Sequence, residues 1–178
     1  MLAERALDIL RDLSPYGRAL ENHCLRIFDF SMELALINNV RMEEDLIMAG
    51  CYLHDIGLLV KDEQEKNYLR RGRAFVQPLK EKWELDDEQA RVLDDVMLYN
   101  HSLAAVPGIS MPGDMVRRAV HVEHSFGRMS RGLERDVIRG VFDKYPRLDF
   151  NRVLRGFFRT VLLDDGPVQV FRIFLPGR

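Results

Sequence analysis

The stretch that decides the fold is AGCYLHDIGLL, residues 49–59, in which a His-Asp pair lies inside an otherwise apolar segment. Acidic residues begin the predicted helix around it, residues 43–60, where the helix dipole favours negative charge. Small and apolar residues lie one helical turn before and after His54, and Asp55 is surrounded in the same way. A buried carboxylate without a partner is costly, so it normally pairs, protonates or coordinates a metal. The pair is therefore the first candidate for a functional site.

Helical periodicity extends in both directions from this stretch, because apolar residues recur every three to four positions. The clearest loop is PGISMPGD, residues 107–114, with two Pro-Gly steps. The predicted helices span residues 2–13, 16–38, 43–60, 63–82 with an interruption near Pro78, 86–104, 114–126, 133–144 and 149–163. The β-prone tail, residues 168–175, is too short to form a sheet alone. The predicted fold class is all-α, a helical bundle of about seven or eight helices.

The composition narrows the class of protein without naming a function. The 178 residues are 47% hydrophobic and 30% charged, which is typical of a folded protein, and the length predicts a single domain over residues 1–178. Lys and Arg total 26 against 28 Asp and Glu, which argues against a protein that mainly coats nucleic acid or an anionic membrane. No window is apolar for long enough to span a membrane, the start lacks a signal peptide's apolar region, and only two cysteines occur. We therefore expect a soluble cytoplasmic protein.

Three of the five histidines occupy positions where an amphipathic helix carries an apolar residue: His23, His54 and His101. One such histidine is usually a core residue bonded to a carbonyl group. Three of them on three predicted helices, together with the buried Asp55, are much less easily explained as independent core residues. Imidazole nitrogens and a carboxylate in one helical core are the ingredients of a divalent-metal site. The sequence therefore predicts a metal site.

The order of His23 and then His54-Asp55 resembles the HD-domain superfamily of metal-dependent phosphohydrolases, whose members share an all-α fold and the order His, His-Asp and a late Asp. The segment ENHCLRIFDFSMELA is similar to the family's first-ligand helix, and LHDIG to its central motif. The stretch NYLRRGRAF fits the helix that follows. The resemblance covers residues 15–126 and implies an HD-like core there, with residues 128–178 as extra helices and a tail.

The family's late Asp has no counterpart in the sixth predicted helix, VRRAVHVEHSFG. Helical phase favours Glu123 as the inward carboxylate, while the family's Ala-Asp pattern also permits His121. The same phase puts His121 and His124 on the polar side of the helix, so His124 is the third choice and is expected to be solvated. The resemblance implies a divalent ion, one of Mn, Co, Ni, Mg, Zn or Fe. The implied metal ligands are His23, His54, Asp55 and either Glu123 or His121.

In such a site the cation lowers the pKa of a bound water and neutralises charge on a phosphoryl oxygen. Asp55 would also orient or deprotonate the water, and His101 would serve as a general acid, a phosphate donor or an extra ligand. Arg71 is the best candidate for contact with the substrate phosphate, because it flanks the apolar face of its helix. The predicted function is hydrolysis of a small phosphorylated molecule, a nucleotide or a phosphomonoester or diester. Nothing indicates a nucleic acid or a membrane as partner, and the apolar tail permits a homodimer.

Two other functions stay open at this point. Leu58 stands where family members often carry Lys or Glu, and together with the missing Asp it favours a catalytically silent scaffold or regulatory module. A di-iron oxygenase of the HD type needs two extra histidines between the His-Asp pair and the late ligand. Residues 56–100 contain no histidine, so this alternative lacks an expected ligand.

Overall fold

The computed structural model describes residues 1–62 and 64–168, and over these it contains eight α-helices and no strand. The helices are α1 (Leu2–Leu13), α2 (Arg18–Ile37), α3 (Glu44–Leu53), α4 (Tyr68–Lys82), α5 (Asp87–Tyr99), α6 (Met111–His124), α7 (Arg135–Lys144) and α8 (Phe150–Thr160). A 3₁₀ turn, Ile56–Leu58, follows α3, and a π-helical turn, Val161–Asp165, follows α8. The all-α prediction is confirmed for these residues. The predicted β-prone tail lies outside them beyond Val168.

Local capping explains where several helices begin and end. Asn67 accepts hydrogen bonds from the first backbone N–H groups of α4, so this helix begins later than the predicted residue 63. Ser110 caps α6, which begins earlier than predicted because Pro112 in its first turn needs no N–H partner. The predicted interruption at Pro78 is wrong, since α4 continues through it. A single proline removes one hydrogen bond, and the burial of Val76 holds this part of the helix on the core.

The predicted helix over residues 43–60 breaks at the His-Asp pair, and this break shapes the site. A Cβ atom on Gly57 would lie 1.9 Å from the carbonyl oxygen of Tyr68, so the start of α4 packs directly on the 3₁₀ turn. Consecutive residues of an α-helix point about 100° apart. Because α3 ends before His54, the side chains of His54 and Asp55 can face the same direction.

Helix α2 lies at the centre of the bundle. It packs against α3, α6, α7 and α8, while α1 lies on α3 and α5 lies against α4 and α6. Phe30 and Leu34 of α2 join a buried cluster with α3 and α6, and Leu20 joins a second cluster that includes Phe150 of α8. Polar residues in the middle of α2 are therefore inside the protein. None of the helices in the described part of the chain combines the length and apolarity needed to cross a membrane.

Candidate metal centre

Polar side chains from four parts of the chain meet beside the N-terminal half of α2. His23 lies on α2 itself and is fully buried. The others come from the break after α3, the segment after α5 and the last turn of α6. They are, in that order, His54 and Asp55, His101, and Glu123 and His124. All of them except His124 are buried, so this cluster of titratable groups is shielded from bulk water.

Three ligand-type atoms converge on the Nε2 side of the His23 ring. His23 Nε2 lies 3.3 Å from His54 Nε2 and 3.8 Å from Asp55 Oδ2. His54 Nε2 lies 3.1 Å from Asp55 Oδ2. Ligands at about 2.0–2.2 Å from one ion are separated from each other by roughly 3 to 3.5 Å. The structure therefore brings three of the predicted ligands to the spacing of a shared metal ion.

The hydrogen bond of His54 defines which of its nitrogens faces the cluster. His54 Nδ1 lies 2.7 Å from the carbonyl oxygen of Cys51, and because a carbonyl only accepts, Nδ1 must donate. The lone pair of the neutral ring is then on Nε2, as in a metal-binding histidine. Burial lowers the pKa of His54, but Asp55 and Cys24 outweigh this and raise the pKa well above its usual value. The surroundings of His54 Nε2 therefore stabilise a positive charge at this nitrogen, either a proton or a metal ion.

Asp55 lies between His101 and the two imidazole rings of His23 and His54. Burial raises the pKa of this carboxyl, but contacts with His54, His101 and His23 outweigh it and hold the pKa well below its usual range. Asp55 Oδ2 faces His54, whereas Oδ1 lies 3.6 Å from His101 Nε2. The ring centroid of His101 is 5.0 Å from that of His124. An ionised aspartate is therefore shared between two predicted ligands and the predicted general acid.

A second group faces the other nitrogen of His23. Glu123 Oε2 lies 3.3 Å from His23 Nδ1 and 3.6 Å from His124 Nε2. Glu123 Oε1 accepts hydrogen bonds from Arg26 at 2.8 and 3.1 Å and from Arg147 at 2.7 Å. Burial opposes ionisation of Glu123, but His23, His124 and Arg26 outweigh it and hold the pKa below its usual range. The structure does not bring Glu123 to the Nε2 side, where the other predicted ligands meet.

Helical phase put His121 and His124 on the polar side of α6, but His121 is buried and His124 is half-buried. His121 is only 4% exposed, and its Nδ1 lies 2.8 Å from Arg131 Nη2. Burial, followed by the charges of Arg131 and Arg117, lowers the pKa of His121 to about 4. The ring of His124 stacks on that of His23 with 5.4 Å between centroids, and burial and neighbouring imidazoles lower its pKa to about 3. The prediction failed because other parts of the chain pack on this face: Arg131 contacts His121, and the rings of His23 and His101 lie beside His124.

Arg71, the predicted substrate contact, is buried beneath the turn that follows the His-Asp pair. Its Nε donates to the carbonyl oxygen of Gly57 at 3.1 Å, and its Nη1 donates to that of Glu65 at 2.9 Å. The guanidinium also forms an ion pair with Asp165. These bonds join α4, the 3₁₀ turn and the π-helical turn. A phosphate contact by Arg71 stays a prediction, and it would require the substrate to replace Asp165.

Sequence reasoning missed Arg147 and Phe150, which come after α7. The Phe150 ring stacks on that of His23 with 4.2 Å between centroids and 19° between planes. The Arg147 guanidinium lies over the rings of Phe126 and Phe150, at 4.1 and 4.9 Å from their centroids. No local signal marks either residue, because one arginine among 26 basic residues and one phenylalanine on an amphipathic helix are ordinary.

The fold and the cluster together define a class: an all-helical protein in which a histidine of one helix meets a His-Asp pair from the break after another. The family model described as the HD domain matches residues 20–107, which include His23, His54, Asp55 and His101. The chain therefore belongs to the HD-domain superfamily, and the resemblance is confirmed. A search of curated proteins found no match to the chain. Glu123 and the residues that contact it from α6 onward lie outside the matched segment.

Proposed function

We propose that the chain is a metal-dependent phosphohydrolase that acts on a small phosphorylated molecule, with the ion held by His23, His54 and Asp55. The main support is the convergence of His23 Nε2, His54 Nε2 and Asp55 Oδ2 at pairwise distances of 3.1 to 3.8 Å. Two imidazole nitrogens and a carboxylate oxygen suit a divalent ion such as Mn, Co, Ni, Mg, Zn or Fe.

We assign the ion to the Nε2 side of His23 on electrostatic grounds. On the Nδ1 side, Glu123 already accepts three hydrogen bonds from Arg26 and Arg147, and two guanidinium charges beside it oppose a further cation. On the Nε2 side, the charged neighbour of the two imidazoles is the ionised Asp55. A cation is therefore stabilised there.

A bound ion would lower the pKa of a water molecule and neutralise charge on a phosphoryl oxygen. Asp55 holds its Oδ1 away from the two ligand imidazoles, where it can orient that water and accept its proton. His101, 3.6 Å from the same oxygen, is placed to donate a proton to the leaving group. Burial of these side chains excludes bulk water and strengthens their electrostatic interactions.

The test compares wild type with Asp55→Asn, using Asp8→Asn on the exposed face of α1 as the matched control. We expect near-stoichiometric divalent metal and phosphatase activity toward nucleotides or simple phosphate esters in wild type and in the control. Asp55→Asn should lose both. Wild-type protein that binds none of Mn²⁺, Co²⁺, Ni²⁺ or Zn²⁺ would refute the proposal. Metal-loaded wild type without turnover across the panel would instead support the regulatory alternative.

A further inference from the structure

The connection between α7 and α8 is fastened to the helix that carries His23. Asn22 Nδ2 donates to the carbonyl oxygen of Pro146 at 2.8 Å, and Arg26 Nη1 donates to that of Tyr145 at 2.9 Å. Asn22 and Arg26 flank His23 along α2, so the connection crosses α2 at the level of the His23 ring. A segment outside the matched HD region is thereby placed against a predicted metal ligand.

Two side chains from this part of the chain then act on the surroundings of His23. Arg147 Nη1 donates to Glu123 Oε1 at 2.7 Å and also lies 3.3 Å from the backbone oxygen of Glu123. Arg26 donates twice to the same Oε1 atom. With Oε1 engaged by three donors, Oε2 is the oxygen that faces His23 Nδ1, at 3.3 Å. Phe150 covers one face of the His23 ring.

The physical consequence is a fixed orientation and a fixed proton position on His23. Hydrogen bonds between guanidinium groups and a carboxylate are short and strong, so they hold Glu123 in one orientation. A carboxylate beside Nδ1 favours a proton on that nitrogen, which leaves the lone pair on Nε2 for a metal. The stacked Phe150 ring opposes rotation of the imidazole, which would exchange the two nitrogens.

We propose that Glu123 is a positioning residue for His23, and that Arg147 together with Arg26 holds Glu123 in place. The metal-binding part of this inference rests on the proposed function. It gives Glu123 a different role from the ligand role predicted from the sequence. It also makes the connection after α7 part of the metal centre.

The first experiment uses the wild-type protein, so it does not depend on the folding of any variant. Long-range ¹H–¹⁵N spectra of the metal-free protein at neutral pH report which nitrogens of each histidine carry protons, and correlations from the ring to the assigned backbone identify the signals of His23. The expected result is a proton on His23 Nδ1. A His23 ring without a proton on Nδ1 would overturn the inference.

The second experiment measures Zn²⁺ affinity by competition with a chelator. The variants are Glu123→Gln, which keeps the size but removes the charge, and Arg147→Met, with Glu81→Gln and Arg152→Met on exposed positions as matched controls. We expect Glu123→Gln to bind Zn²⁺ about 10- to 100-fold more weakly. Arg147→Met should show a smaller loss, and both controls should match wild type.

Two further outcomes overturn the inference. Wild-type affinity in both Glu123→Gln and Arg147→Met overturns the inference, as does a loss in Glu123→Gln as complete as that in His54→Ala, which would identify Glu123 as a ligand. If Glu123→Gln does not fold, Arg147→Met provides the comparison. If wild type binds none of Mn²⁺, Co²⁺, Ni²⁺ or Zn²⁺, the proposed function fails, and the proton position on His23 alone decides whether Glu123 orients the ring.

Discussion

The two nitrogens of His23 face two groups of residues that differ in their position along the chain and in their charged side chains. Nε2 faces His54 and Asp55 inside the matched HD segment, where two imidazoles share one carboxylate. Nδ1 faces Glu123 of α6, whose carboxylate is already bound by Arg26 and Arg147. Both regions contain a histidine and an acid at metal-like distances. We infer from this comparison that guanidinium groups already present decide whether such a cluster suits a cation or forms an internal ion-pair network.

Removing one histidine from each side gives the largest expected effect. His54→Ala should lose metal by more than the roughly 100-fold that outer residues of a metal site typically account for. His124→Ala should keep most of its affinity, because His124 lies on the side of Glu123. Metal content after dialysis and titration of the metal-free protein measure both effects. A greater loss in His124→Ala than in His54→Ala would place the ion on the Nδ1 side.

A buried arginine, Arg71, also stabilises the turn that follows the His-Asp pair on the Nε2 side. Arg71→Met removes the ion pair with the buried Asp165 and two hydrogen bonds to backbone carbonyl groups, so we expect the free energy of unfolding to fall by about 3–5 kcal/mol. Urea denaturation measures this, with the exposed Arg152→Met as control. Unchanged stability combined with a raised KM for a phosphorylated substrate would instead favour the predicted phosphate contact.

His121 provides a pH test of the buried face of α6 that was expected to be polar. Its pKa is about 4 in the folded protein, below the ordinary 6.5, so the folded state resists its protonation. The contribution of His121 to the free energy of unfolding is complete above pH 6.5. It is lost as the pH falls toward 4, by about 3 kcal/mol in total. Urea denaturation of the metal-free protein over this pH range should therefore show a steeper decline in wild type than in His121→Gln. Equal slopes would mean that His121 is not the group responsible.

Substitutions of two glycines should give the smallest changes in stability. Gly57 lies in the turn next to the site, whereas Gly140 lies on an exposed face away from it. A Cβ atom on Gly57 would lie 1.9 Å from the carbonyl oxygen of Tyr68, so Gly57→Ala should cost about 1–3 kcal/mol and weaken metal binding. Gly140, exposed on α7, has no atom within 4 Å of such a Cβ, and Gly140→Ala should stabilise by about 0.5–1 kcal/mol. Thermal and urea unfolding measure both changes. Wild-type stability in Gly57→Ala would show that this close approach does not shape the turn.

Apolar periodicity was sufficient to predict the helical class and the burial of His23, His54 and His101, because each lies on a face whose neighbours are also apolar. It was insufficient for α6. There, periodicity assumes that one face meets solvent, whereas His121 is covered by Arg131 and His124 by neighbouring rings. The polar appearance of a helix face does not predict exposure when distant parts of the chain pack on it.

Tertiary contacts explain what else the sequence could not reveal. The break in the helix at the His-Asp pair depends on the close approach of Gly57 to Tyr68, which no local pattern encodes. Arg147 meets Glu123 across 24 residues of chain, and its role depends on a bond that only the folded structure brings about. The cluster of His23, His54 and Asp55 was predictable because the family motif contains these residues. The contacts of His23 with Glu123 and Phe150 were not predictable, because both residues lie outside that motif.

The stacking of Phe150 on His23 also bears on how the centre forms during synthesis. The ribosome makes His23 early, whereas the residues that orient its ring, up to Phe150, emerge more than a hundred residues later. At about 5–20 residues per second, the delay is roughly 6 to 25 s. For most of that interval His23, His54 and Asp55 have all been made, but Phe150 does not yet cover the imidazole ring. We therefore expect the nascent chain to bind the proposed metal ion only after the connection between α7 and α8 has packed on α2.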